Sequence, residues 1–234
     1  MSTNYFILSK NPANDVSDNS KDQVIYLNSS LTYVLPKVNI DYYTNRGLFE
    51  NQLIDWSKQL CSKDKVFLDI GAHTGTYSIS IADRCQHVYA FEPQKMTYYA
   101  LCGGVALSNI QNITCINSGL GSEDQVGKQV LKIVSMDGGG SSMHASSGIL
   151  LEEEISVLTL DSFNLSNIGF IKMDVEENEL FVLQGGLETL KRSNFPKILF
   201  ESNTEDKALF EYIYGLGYRI VKIGGYSNMY LAEV

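Results

Sequence analysis

From Val66 onward the sequence alternates between short apolar runs and segments of helical spacing, and few architectures accommodate that alternation. VFLDI (66–70) leads into the glycine-punctuated GAHTG (71–75) and the helical TYSISIADRC (76–85). HVYAFEP (87–93) precedes a helix over KMTYYALCGGVALSN (95–109), and ITCIN (113–117) is a third strand. Runs this apolar suit strands covered on both faces, and strands alternating with helices predict a doubly wound, mostly parallel α/β sheet. The pattern breaks between Gly119 and Leu160, where the turn GSEDQ, the strand QVLKIV, the loop DGGGSSMHASSG and the strand ISVLTLDSF predict an inserted β-hairpin and flexible loop beside the site. It resumes with IGFIKMDVE (168–176) and a helix from Asn178 to Ser193, whose Leu180, Leu183, Leu187 and Leu190 form one apolar stripe. KILFES (197–202), a helix from Glu205 to Leu216, and the hairpin strands YRIVKIG and MYLAEV complete the expected sheet.

A chain of 234 residues buries enough surface for one domain without staples. We expect residues 1–60 to form an N-terminal extension with a leading helix and residues 61–234 to form the ligand-binding domain. Within the extension, residues 10–22 read as a mobile lead-in, VIYLNSSLTYVLPKV (24–38) as a strand pair forming an accessory flap, and residues 45–60 as a helix with Trp56 in the core. No stretch approaches the roughly 18 apolar residues of a membrane span, and the N-terminus lacks the pattern of a secretory signal. A soluble, cytoplasmic protein is expected. Cys61, Cys85, Cys102 and Cys115 form no C-x-x-C pair, so they read as free thiols rather than zinc ligands or a redox dithiol. A formal charge of −9 disfavours nucleic acid as a partner, since phosphate binding draws on Lys and Arg. Nothing in the sequence bears on oligomeric state.

Three segments carry chemistry. In DIGAHTG, glycines at 71 and 75 permit a tight turn and a close approach of backbone to ligand, while the following helix offers unpaired N–H groups. The segment lacks the G-x-G-x-x-G dinucleotide fingerprint, and the acid ending its strand, Asp69, suits a ligand with an ammonium group. An ordinary βα turn with a capping acid is the other reading. Glu92 ends the next strand about 20 residues past the turn, where an acid accepts the hydroxyls of a ribose, and Pro93 halts the strand there. An NAD-binding protein would share that acid. Lys172, Asp174 and Glu176 alternate along the strand, so they share a face, which is costly to bury without a purpose. His144, on the glycine-serine loop, has the imidazole chemistry of a general base, whereas His73 lies within the turn and His87 precedes a strand.

Taken in order, DIGAHTG, AFEP, GGGSS, VLTLDSF, IKMDVEENELFVLQGG and ILFES make residues 60–224 resemble the FkbM-type methyltransferases. The resemblance implies a class I, Rossmann-like methyltransferase fold and S-adenosylmethionine as cofactor. It implies O-methylation of a hydroxyl on a sugar, glycan or other small molecule. By the same resemblance Asp69, Gly71, Ala72, His73 and Gly75 line the methionine end of the cofactor, Glu92 and Pro93 the ribose, and Asn117 and Ser118 the adenine. Asp174 and Glu176 then stand where methyl and acceptor meet, with Asp174 the first choice to orient or deprotonate the acceptor and His144 the alternative. A divalent ion on Asp174 and Glu201 is a second route that the sequence leaves open. Glu177 departs from the family pattern, which has glycine after the D-V-E triplet, and it reads either as an acid in the first helical turn or as a substrate contact. The rival functions are an NAD-linked oxidoreductase and a catalytically silent cofactor-binding module.

Overall fold

Apolar runs with no polar face need cover on both sides, and the computed structural model, which describes residues 5–10 and 31–234, supplies it. The elements are β1 (Tyr5–Lys10), β2 (Leu31–Pro36), α1 (Ile40–Arg46), α2 (Asn51–Ser57), β3 (Val66–Ile70), α3 (Thr76–Ile81), β4 (His87–Phe91), α4 (Lys95–Leu107) and β5 (Ile113–Ile116). They continue with β6 (Gly119–Leu120), β7 (Gly127–Ile133), β8 (Leu151–Leu158), β9 (Ile168–Met173), α5 (Glu179–Gln184), α6 (Leu187–Arg192), β10 (Lys197–Glu201), α7 (Lys207–Gly215), β11 (Arg219–Lys222) and β12 (Met229–Glu233).

Seven strands form the central sheet in the order β11-β12-β10-β9-β3-β4-β5, with β12 antiparallel to both of its neighbours and the rest parallel. Successive residues turn to opposite faces: Leu68, Ile171, Ile198 and Phe200 pack under α5, α6 and α7, while Phe67, Phe170 and Leu199 pack under α2 and α3. The chain runs outward from β3 through β4 to β5, then returns to the other side of β3 with β9 and β10. Strand order therefore reverses between β3 and β9, where the strand ends leave a crevice for a ligand. The expected insertion is a separate three-stranded sheet, β6-β8-β7, whose loop 134–150 lies beside that crevice. Among the described residues no helix is long and apolar enough to cross a membrane.

Several expectations change. Lys10, the first residue of the lead-in expected over 10–22, ends β1, and the rest of that segment lies outside the described residues, as do residues 24–30. Leu31–Pro36 pairs with Tyr5–Lys10 rather than within a 24–38 hairpin, and it is core, not flap. Tyr33 and Leu35 are buried, the Tyr33 hydroxyl meets Ser80 Oγ at 2.7 Å, and α4 lies so close that a Cβ on Gly104 would sit 3.1 Å from the Thr32 carbonyl. The single helix expected over 45–60 is the shorter α2, preceded by α1, with Trp56 half-buried against the core. The 178–193 helix breaks into α5 and α6 at Gly185 and Gly186, because a Cβ on Gly185 would fall 2.0 Å from the Gly121 carbonyl of the inserted sheet.

The burial of β2 generates a stability test. Leu35 is 0% exposed, so Leu35→Ala is expected to cost about 2–5 kcal/mol in urea unfolding, as for a core leucine. A change under about 0.5 kcal/mol, typical of surface positions, would return β2 to the status of a flap.

Candidate active site

The turn after β3 is built on hydrogen bonds that cross strands. The Gly71 and Ala72 N–H groups both donate to the Phe91 carbonyl, at 3.0 and 2.9 Å, and the Asp174 N–H donates to the Ile70 carbonyl at 3.0 Å. These bonds press Gly71 onto β9: its φ is +75°, and a Cβ there would lie 1.8 Å from the Asp174 carbonyl oxygen. Only glycine fits. Gly75, at φ +82°, starts α3, and His73 takes φ +51° so that its N–H donates to Glu92 Oε2 at 2.8 Å.

Glu92 Oε1 accepts the Gln94 N–H at 2.8 Å, so each carboxylate oxygen holds one backbone N–H and keeps a lone pair for another donor. Burial raises this carboxyl to about 7, against which the two N–H bonds act. Asn117 Nδ2 braces the turn by donating to the Glu92 and Pro93 carbonyls, at 2.9 and 3.0 Å. Glu92, Pro93, Gly71 and His73 wall a cavity together with Ser118, Asp174, Glu176 and Asn178, and Phe91, Leu120, Leu131, Met143 and Ile155 give it an apolar side. A nucleoside fits this donor set: an apolar slot for a base, a carboxylate with two free lone pairs for ribose hydroxyls, and a turn that tolerates no Cβ.

Asp69, Ala72, Gly75 and Asn117 stand behind the wall rather than in it. Asp69 is buried beneath the turn, where Oδ2 accepts the Ser78 N–H at 2.9 Å and the Ser78 hydroxyl at 2.5 Å, while Oδ1 has no partner among the described residues. Burial, opposed by Lys172, raises its carboxyl above the usual range. The glycine-serine loop forms the roof. His73 Nε2 donates to the Asp137 carbonyl at 2.7 Å, Gly140 N–H donates to Glu176 Oε1 at 2.9 Å, and Ser142 Oγ donates to the Glu176 carbonyl at 2.7 Å.

On the β9 side, Lys172 is 4% exposed, and its Nζ lies 3.0 Å from the Gly71 carbonyl, 3.3 Å from Asp174 Oδ2 and 5.4 Å from the Tyr77 ring centre. Burial alone would lower the ammonium, but Asp174, Asp69 and Glu50 outweigh it and hold it above its ordinary value. Burial likewise opposes ionisation of Asp174, yet Lys172 and a hydrogen bond with Glu201 keep that carboxyl below its usual range. Glu201 is pushed up to about 9, first by burial and then by the charge of Asp174. Burial and Asp174 also raise Glu176. One carboxylate oxygen from each of Asp174, Glu176 and Glu201 lies within 4.8 Å of the others, a set of hard oxygen ligands able to hold a divalent ion.

The strand expected over 168–176 ends at Met173, because the chain turns left-handed: Glu176 has φ +53° and Glu177 φ +74°. Glu177 therefore precedes the N-cap Asn178 and is not in the first helical turn, which begins at Glu179. His144 lies outside the cavity walled by Gly71 and Glu92 and lines a second one with Glu177, Glu179, Phe181, Glu201 and Ser202. His87 bonds Thr114 Oγ1 at 2.8 Å, away from both. Sequence reading missed Glu179, which accepts the Val175 N–H at 3.0 Å and is raised by burial to about 7, and it missed Asn178, which is buried, lines the first cavity and meets His144 Nε2 at 3.0 Å. Their only signal was the polar run E-E-N-E ahead of an apolar helix.

A seven-stranded sheet reversing at β3, with a glycine turn there and a ribose-type acid one strand on, defines the class I methyltransferase architecture. The sequence profile of the methyltransferase FkbM domain matches residues 69–220, and the chain belongs to that family, so it is an S-adenosylmethionine-dependent methyltransferase. No functionally curated protein matches the sequence. Similar solved folds include an rRNA methylase from Streptococcus thermophilus (14% identity, 78% of this chain and 93% of that one, TM-score 0.50). A putative rRNA-methylase from Clostridium thermocellum (11%, 78% and 92%, 0.51) and a ribosomal protein L11 methylase from Lactobacillus delbrueckii subsp. bulgaricus (11%, 80% and 79%, 0.50) are also similar. At these identities the likeness is one of fold.

Two tests follow from this geometry. The Glu92 carboxyl titrates near 7, and its ionised form has the lone pairs for a ribose, so calorimetric affinity for S-adenosylmethionine is expected to hold above that pH and to weaken as pH falls through it. Glu92→Gln should flatten this dependence, and Glu92→Ala should lose about 1.5–3 kcal/mol of binding; a pH-independent wild type would contradict the assignment. Glu177→Gly relieves a left-handed side chain and is expected to add about 1 kcal/mol of stability, read as a rise of about 2–4 °C in Tm.

Proposed function

We propose that the methyl acceptor is a hydroxyl group, on a sugar or glycan, and that Asp174 orients it. The observation that carries this reading is the Lys172-held carboxylate of Asp174, in the wall of the same cavity as Gly71 and Glu92. S-adenosylmethionine, when bound, supplies an electrophilic methyl on its sulfonium. An attacking alcohol must lose its proton as the O–C bond forms and the S–C bond breaks, and an ionised carboxylate aligns the O–H and stabilises the charge developing on it. Glu201, raised to about 9, stays protonated at neutral pH and can donate where Asp174 accepts. Paired donors and acceptors suit a polyol. Lys172 is the only lysine or arginine among the site residues described, and it is already paired, which with the net charge of −9 argues against a phosphate backbone as acceptor.

The carboxylate oxygens of Asp174, Glu176 and Glu201 also favour a second reading, in which a divalent ion held there lowers the alcohol's pKa. Labelled S-adenosylmethionine incubated with glycans, glycolipids and small alcohols, read by mass spectrometry, tests the acceptor class; methylation confined to nitrogen or carbon would reject it. With an acceptor in hand, Asp174→Asn is expected to lower turnover by roughly 10²–10⁴-fold while S-adenosylmethionine affinity stays within a few-fold. Chelation followed by magnesium or manganese separates the readings, because only the metal route loses and regains activity. Near-normal turnover of Asp174→Asn would remove Asp174 from the chemistry.

A further inference from the structure

A carboxylate held ionised by a buried ammonium orients a hydroxyl well but takes its proton poorly, which leaves the proton acceptor to be found. The side-chain network around Asn178 identifies one by donor and acceptor bookkeeping. Asn178 is 3% exposed, and four groups surround its amide: the Leu120 carbonyl at 2.9 Å, Gln125 Nε2 at 2.9 Å, Gln125 Oε1 at 3.3 Å and His144 Nε2 at 3.0 Å. A carbonyl can only accept, so Nδ2 faces Leu120. Gln125 is oriented independently, since its Oε1 accepts the Ser122 N–H at 3.3 Å in a capping box, and its Nε2 therefore donates to Asn178 Oδ1. Oδ1 is left as the atom facing His144, and an amide oxygen accepts only. His144 Nε2 must carry the hydrogen.

In the neutral ring the lone pair then resides on Nδ1, which has no hydrogen-bond partner among the described residues. The ring is further held by Phe181, stacked at 6.0 Å and 23°, and by the His144 N–H donating to Ser142 Oγ at 3.0 Å. His144 lines the second cavity with the carboxyls of Glu177, Glu179, Glu201 and Asp206, and Glu201 joins that cavity to Asp174.

We propose that Asn178, backed by Gln125, is a positioning residue that holds His144 in the Nε2–H tautomer, so that Nδ1 serves as the proton acceptor for the methylated hydroxyl. The base role rests on the hydroxyl reading above; the tautomer lock does not. The alcohol's proton passes to Nδ1 as its oxygen forms the bond to the methyl and the methyl–sulfur bond breaks with its electron pair staying on sulfur; the imidazolium then donates at Nε2 to Asn178 and releases the Nδ1 proton to solvent.

Long-range ¹H–¹⁵N spectra of the labelled protein read the tautomer directly, and the three histidines are assigned with His73→Asn, His87→Asn and His144→Asn variants. At alkaline pH, wild-type His144 is expected as Nε2–H, Asn178→Leu as a mixture of tautomers, and Asn178→Asp, which keeps an acceptor oxygen, as Nε2–H again. With a verified acceptor, His144→Asn and Asn178→Leu should each lower kcat by roughly 10²–10⁴-fold, non-additively, at nearly constant S-adenosylmethionine affinity, and Asn178→Asp should recover most of it. An Nδ1–H ring in the wild type overturns the lock whether or not any variant folds, as does an unchanged ring in a folded Asn178→Leu. A changed tautomer with unchanged kcat overturns the base role alone.

Discussion

A single buried ammonium joins the two halves of the site. Lys172 Nζ donates to the Gly71 carbonyl of the glycine turn and to Asp174 Oδ2 past the end of β9, so one cation spans the point where strand order reverses. Removing a charge from water costs several kcal/mol, and burial repays it only when the partners are close and complete. Here they are complete: a carbonyl, a carboxylate, the face of Tyr77, and the nearby charges of Asp69 and Glu50. Because these partners come from different strands, the ion works as a spacer as well as a counter-charge. It fixes the separation between the turn that no Cβ can enter and the Asp174 carboxylate.

The carboxyls around that ammonium share a chemistry and differ in state. Glu92, buried with two backbone N–H bonds, is poised near 7; Glu201, buried against another carboxylate, is protonated at neutral pH; Asp174, beside Lys172, is ionised. Desolvation pushes all three the same way, and only the neighbouring charge or donor separates them. Divergent states among similar groups are what a site needs if one carboxyl is to hold a ribose, one to donate and one to accept.

The inserted sheet closes the arrangement. Its glycine-serine loop is tied to the glycine turn through His73 and to the Glu176 turn through Gly140 and Ser142, so roof and floor are held by the same two turns. The same loop is also pinned by the Lys132–Ser142 backbone pair at 3.0 and 3.1 Å, by Lys132 Nζ donating to the Ala145 carbonyl at 2.8 Å, and by Met143 packed on Leu131, Ile155 and Val157. Asn178 links the same insertion, through Leu120 and Gln125, to the start of α5.

Architecture was legible in the residues because it follows from local periodicity: VFLDI, HVYAF and KILFE read as strands buried on both faces, and they are. Gly71 and Glu92 were legible because backbone conformation and strand-end chemistry are written in residue type. Long-range packing was not. Leu31–Pro36 looked like half of a local hairpin, since nothing in its own letters names a partner near the N-terminus. Glu176 and Glu177 looked like strand and helix residues, because two consecutive left-handed non-glycine residues run against every local preference and persist only under tertiary restraint. The ionisation states of the carboxyls, the meeting of Asp174 with Glu201, and the tautomer of His144 all depend on distances between segments far apart in the chain. Local sequence prescribes which groups are present, and the packed sheet decides which of them lose water and which face a charge.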